Sequence, residues 1–258
     1  MAGERWTEVQ VKRALYLYFQ LPFGQLDKSN SDIIKLAREL DRTPSSVAMK
    51  LANFASLDPK IVESGRKGLS GASALDRQIW DLFHQDWTKL ILENALPDDL
   101  LEQGKPEDSK LRENLSAFQY ELPDGVSSKS AQIEQRIGQG FFRRAVLANF
   151  NNSCCITGIS EPKLLIASHI SPWGTDVENR HNPRNGLCLS ATFDRAFDAY
   201  LLTVTPELKV RLSPKLSHSE NLETCRYFEK YEGISVRYPT HITPDPSLLA
   251  AHCSKLIC

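Results

Sequence analysis

Between positions 168 and 200 the chain reads SHISPWGTDVENRHNPRNGLCLSATFDRAFDAY. His169 comes first, then Asn185-Gly186, then Asp194 and Asp198. Hydrolysing a phosphodiester needs a base for water, positive charge against the developing phosphorane, and help for the leaving oxygen. His169 follows the apolar run LLIAS and suits the base, because a neutral imidazole is available near neutral pH. Asp194 and Asp198 lie at i and i+4 in ATFDRAFDAY. On a helix that spacing puts both carboxylates on one face, where they can share one hard cation. Asn185 precedes Gly186 in a turn, where its amide can bond backbone across the loop. Each piece also has a plain reading: a structural histidine, a solvated helix face, a simple turn.

These side chains need elements to present them. From Ala131 the pattern AQIEQRIGQGFFRRAVLANF predicts a helix with Phe141, Phe142, Ala145, Val146 and Leu147 inward. Cys155 to Gly158 and Leu164 to Ala167 read as two short strands around a turn. Gly186 to Leu189 is a short apolar run, and Ala191 to Ala199 reads as helix. Leu201 to Val204 and Leu208 to Leu212 predict a hairpin around Thr205-Pro206-Glu207.

Residues 5–92 read as helical, with Val9, Val11, Ala14, Leu15 and Tyr18 inward in the first helix. A second helix starts after Asn30-Ser31. Thr43 is a good N-cap and Pro44 a good first residue for a third, over Ser45 to Ala55. Two short helices joined by a tight turn make a possible helix-turn-helix. On that reading Ser45, Ser46, Lys50 and Asn53 face a groove. Ser and Lys would meet phosphates, and Asn could read adenine. Arg66, Lys67 and Arg77 would add basic surface. The alternative is a helical bundle that docks or dimerises. A fourth helix is expected from Ala74 to Leu92. The divisions are then a helical, DNA-binding segment at 1–92, an acidic linker at 93–130 with some helix around Ser109 to Phe118, and a third unit at 131–258. The fold class is α+β.

The 258 residues carry a formal net charge of −1. That value hides a division of +2 over 1–92, −6 over 93–128 and +3 over 129–258. Phosphate binding follows the local field, so the total neither excludes nor indicates nucleic acid. No run of about eighteen apolar residues exists to span a membrane, and the start lacks a signal-peptide layout, so a cytoplasmic location is expected. The six cysteines form no CxxC pair and read as small buried hydrophobes in a reducing compartment.

Five motifs in order, RIGQGFFRRAVLANF, CCITG, LLIASHISPW, NPRNGLCLS and FDRAFD, resemble an HNH endonuclease of the ββα-metal class. They resemble its restriction-like branch, over residues 136–204. The resemblance implies that His169 is the general base and that Asn185 braces the loop carrying it. It implies that Asp194 is a metal ligand, with Asp198 a second ligand one turn later. Ser168 stands where many relatives place an acidic or histidine ligand. Two carboxylates without a sulfur or histidine pair favour one divalent ion, Mg²⁺ or Mn²⁺ rather than Zn²⁺. Arg143 could reach a phosphate, with Arg144 on DNA and Gln139 in support. His181 could approach the metal, and Trp173 reads as packing. The implied activity is cleavage of DNA, double-stranded, by a homodimer in restriction-type or modification-dependent host defence. The alternatives are a catalytically weak DNA-binding regulator and an RNA-cleaving effector.

Overall fold

The computed structural model describes residues 5–66, 68–94 and 129–257. The expected helix near 109–118, with most of the linker, Lys67 and Cys258, lies outside the described residues. The architecture is α+β, with a helical N-terminal region and two small antiparallel sheets in the C-terminal part.

Helix α1 (Glu8–Tyr18) opens on a capping box in which Thr7 and Gln10 bond each other's backbone N–H. Helix α2 (Ser31–Glu39) is capped by Asn30, and α3 (Pro44–Ala55) by Thr43 with Pro44 in its first turn. Asp41 takes φ 52° in the turn between them. The short α4 (Pro59–Glu63) follows. The single helix expected over 74–92 is two, α5 (Ala74–Gln85) and α6 (Trp87–Asn94). Asp86 turns extended between them, and its carboxylate accepts the Lys89 N–H at 2.9 Å, which starts a new helix. Val9 points outward and is 63% exposed.

Lys50 does not face a groove. It is buried, and its Nζ lies 2.8 and 3.0 Å from the two Asp76 oxygens. Ser46 and Asn53 are half-buried, and the exposed positions of α3 are Ser45 and Met49.

Helix α7 (Lys129–Asn149) leads into the C-terminal part. The expected strand at 155–158 is instead a closed turn. Cys154 N–H donates to the Ile159 carbonyl, Gly158 N–H donates back to the Cys154 carbonyl, and Gly158 has φ 79°. Strand β1 (Leu165–His169) pairs antiparallel with β2 (Gly186–Ser190), and His169 lies opposite Gly186. Helix α8 (Ala191–Asp198) follows β2 directly, completing a ββα unit. The hairpin of β3 (Leu202–Val204) and β4 (Val210–Leu212) forms as the pattern predicts. Short helices α9 (Pro214–Ser217) and α10 (Leu222–Phe228) precede α11 (Pro246–Cys253). Cys154, Cys155 and Cys188 are free and buried.

The described residues form two apolar cores. One gathers α1 to α6 with Phe141, Ala145 and Ile242. The other gathers Phe142, Val146 and Phe150 with β1 to β4, α8 and Leu249 of α11. Among the described residues, no helix is long and apolar enough to cross a membrane.

The Lys50–Asp76 pair joins α3 to α5 inside the first core. Removing one partner strands the other charge, which costs about 3–5 kcal/mol. Lys50→Ala should lower the unfolding free energy by that order in urea titration. A loss under about 1 kcal/mol would show that the pair does not hold these helices together.

Candidate active site

His169 ends β1, and its ring lies flat on Phe142 of α7 at a centroid distance of 3.8 Å and an angle of 7°. Its Nε2 is 3.1 Å from the Arg180 carbonyl oxygen. A carbonyl only accepts, so Nε2 carries the proton and Nδ1 keeps its lone pair. Burial lowers the His169 pKa from its ordinary 6.5, and the bond to Arg180 opposes that. The neutral ring is therefore favoured.

Asn185 is fully buried and makes three bonds across the loop. Its Oδ1 accepts the Ser171 N–H at 2.7 Å, and its Nδ2 donates to the carbonyls of Ser171 at 3.1 Å and Asn179 at 3.2 Å. It ends a one-turn helix, Pro183–Asn185, rather than forming a simple Asn-Gly turn. Gly186 is extended, with φ −130°. Glycine is needed there for a different reason. A Cβ would stand 2.3 Å from Val146 Cγ2 and 3.0 Å from Phe142 Cζ, so α7 lies directly against the start of β2.

Asp194 and Asp198 sit one turn apart on α8, whose Phe193, Ala196 and Phe197 are buried. Loss of hydration, then the Asp194 carboxylate, pushes the Asp198 carboxyl up to about 6, against Arg195. Both aspartates line a cleft of about 400 Å³ with His169, Ser168, Trp173, Tyr200 and His252. The structure thus brings His169, Asp194 and Asp198 to one cavity, with Asn185 behind it.

Arg143 is not brought there. Its guanidinium donates to the Leu165 carbonyl at 3.0 Å, at the far end of β1 from His169. Four residues of strand separate them by about 13 Å. Arg143 and Arg144 are half-buried and do not line the cleft, and neither does Gln139. His181 packs behind the loop against Trp173, with ring centroids 5.3 Å apart. Trp173 does pack, but it also lines the cleft.

Sequence reasoning missed three contributors. The Arg180 carbonyl has no side-chain signature. Tyr200 ends the stretch from 168 to 200 and carried no assigned role, and His252 reaches the cleft from well beyond the motifs. His252, on α11, stacks on Phe197 at 3.7 Å and meets Thr203 Oγ1 at 2.8 Å. Burial pushes its pKa down to about 4. A histidine on the apolar run PSLLAAHC was its only signal.

The donor set fits a hard divalent cation. Burial first, and then the Asp194 carboxylate one turn away, raise the Asp198 pKa, and a cation would offset both. Among the described residues, no group of three or more His, Cys, Asp or Glu is arranged to hold a metal. A cation here must complete its shell with water and phosphate oxygens, as Mg²⁺ commonly does. Ser168 adds only a buried, unpartnered hydroxyl.

Residues 154–205 match the family described as HNH endonuclease. A search of curated proteins gives no match.

Asn185→Ala should unfasten the loop. It leaves the Ser171 N–H and carbonyl without the partner they have here, at about 1–3 kcal/mol for each group left buried, while the Asn179 carbonyl keeps the Asn182 N–H. A fall of at least about 2 kcal/mol in unfolding free energy is expected, with faster amide exchange at Ser171. Unchanged exchange at Ser171 would contradict the bracing role.

Proposed function

With residues 154–205 matching the family described as HNH endonuclease, we propose that the chain is a metal-dependent DNA endonuclease. The observation that carries the reading is His169, held with Nε2–H on the Arg180 carbonyl in a cleft shared with Asp194 and Asp198. Nδ1 removes a proton from water as its oxygen attacks phosphorus. The P–O3′ bond breaks and the departing O3′ takes a proton from solvent water, leaving a 5′-phosphate and a 3′-hydroxyl. Phe142 fixes the plane of the base from below, and Asn185 fixes the loop that supplies the Arg180 carbonyl. Asp194 and Asp198 would hold one divalent ion, Mg²⁺ or Mn²⁺, which supplies positive charge against the phosphate oxygens. Since one site cuts one strand, a homodimer suits cleavage of duplex DNA. A restriction-type or modification-dependent defence role fits this activity.

Ser168 favours a second reading, a DNA-binding regulator of weak activity, because it offers a neutral hydroxyl in place of a charged ligand. One assay separates the readings. Supercoiled plasmid and tRNA are offered in parallel, with Mg²⁺, Mn²⁺ or chelator. The proposal expects metal-dependent plasmid nicking that His169→Ala reduces by about 10²–10⁴-fold. Equal nicking by wild type and His169→Ala would sink the assignment, and cleavage of tRNA alone would move the substrate to RNA. Asp198→Asn should raise the metal concentration needed for half-maximal rate. Because burial disfavours the imidazolium, the neutral form of His169 predominates at neutral pH. The rate should fall as the pH is lowered from neutral, as His169 and Asp198, whose carboxyl sits at about 6, take up protons.

A further inference from the structure

The loop between β1 and β2 supplies the carbonyl that sets the His169 tautomer, and that carbonyl belongs to Arg180. Two contacts hold Arg180 from one side. Its Nε donates to the Trp173 carbonyl at 2.7 Å, and its guanidinium lies 5.4 Å from the Trp173 ring centroid. On the other side is its neighbour, His181.

His181 is seated on a glycine of α7. A Cβ at Gly138 would fall 2.1 Å from His181 Nε2 and 2.3 Å from Cδ2, so the ring occupies the space that any other residue would fill. Its Nδ1 is 3.3 Å from Thr88 Oγ1 on α6, in the helical region. Its Nε2 is buried with no hydrogen-bond partner. Leaving a ring nitrogen buried and unpaired costs free energy. Core packing alone is served better by an apolar side chain. Burial first, then Arg180 and His169, push the ring down to about 4, so it stays neutral.

We propose that His181, seated on Gly138 and joined to Thr88, is a positioning residue that holds the Arg180 carbonyl in register with His169 Nε2. Through this contact α6 and α7 help to set which nitrogen of the base is free. The kinetic consequence rests on the reading of His169 as general base; the structural consequence does not.

The test uses the full chain and two readouts. Histidine ¹⁵N shifts report the His169 tautomer, and plasmid nicking with Mn²⁺ reports rate. Gly138→Ala should drive the ring away, convert His169 from pure Nε2–H to a mixture, and slow nicking by about 10–100-fold, the scale of a misplaced group. Substituting Ala for Gly inside a helix otherwise stabilises it. Here the Cβ collides with His181 in either case, so a Gly138 that only makes room for the ring would give a less stable protein with an unchanged tautomer. His181→Ala should also mix the tautomers. Gly138→Ala/His181→Ala should return to the level of His181→Ala, because nothing is left to collide.

The proposal is overturned if the His169 tautomer is unchanged in both single variants, or if the double variant stays as impaired as Gly138→Ala while His181→Ala matches wild type. If Gly138→Ala does not fold, the tautomer in His181→Ala decides alone: a mixture supports the proposal, and pure Nε2–H overturns it. If wild type itself does not cleave DNA while the tautomer responds as stated, the endonuclease reading fails and the positioning role stands.

Discussion

Helix α7 has two apolar faces, and the structure depends on both being covered. Phe141 and Ala145 enter the helical core, while Phe142, Val146 and Phe150 enter the core around the sheets. Adjacent helical residues point about 100° apart, so this pairing makes one wide stripe that a single partner layer cannot cover. The helix ends on Asn149, which is buried. Its Oδ1 accepts from the N–H groups of His241 and Ile242, and its Nδ2 donates to the Ile242 carbonyl. His241 then reaches into the helical region. Its ring nitrogens lie 3.0 Å from Asp58 Oδ2 and 3.2 Å from the Leu21 carbonyl, and Tyr18 donates to the same Asp58 oxygen. A common wall and a buried polar bridge therefore tie the N-terminal helices to the ββα unit.

The cleft inherits its order from this wall. Phe142 is at once a core residue and the surface on which His169 lies. The His169 ring is oriented by a backbone carbonyl. Asn185 fixes both ends of the supporting loop with one amide group. Networks of this kind are rigid when every member is satisfied. Ser168 Oγ and His181 Nε2 are buried and left unpaired.

Residues whose role lies in side-chain type and spacing were legible in the sequence. Asp194 and Asp198 share a helix face because i and i+4 always do. The hairpin at 202–212 and the helix after β2 follow from patterning. Lys50 was legible too, and the groove reading overlooked it. It falls between Val47, Leu51 and Phe54 on the inward stripe of α3, where a lysine needs a buried partner. Other features depend on distant neighbours. Gly186 reads as half of a turn, yet it is glycine because Val146 and Phe142 press on it. The apolar run at 155–158 reads as a strand, but its backbone groups bond within a turn and to Cys188 and Arg237. Arg180 acts through its carbonyl, which every residue has.

The cleft sets one environment against two opposite needs. Desolvation lowers the pKa of His169 and raises that of Asp198, because it disfavours charge of either sign. For the histidine this is the useful direction, since the role proposed for it needs the neutral ring. For Asp198 it is the wrong direction, since only an ionised carboxylate binds a cation well. A divalent ion held by the pair, as proposed, would favour the charged form of Asp198 and leave His169 governed by burial and the Arg180 carbonyl. A half-buried cleft thus suits a neutral imidazole as it stands and favours a cation on the carboxylate side, and α8 places its two aspartates on that side by helical spacing alone.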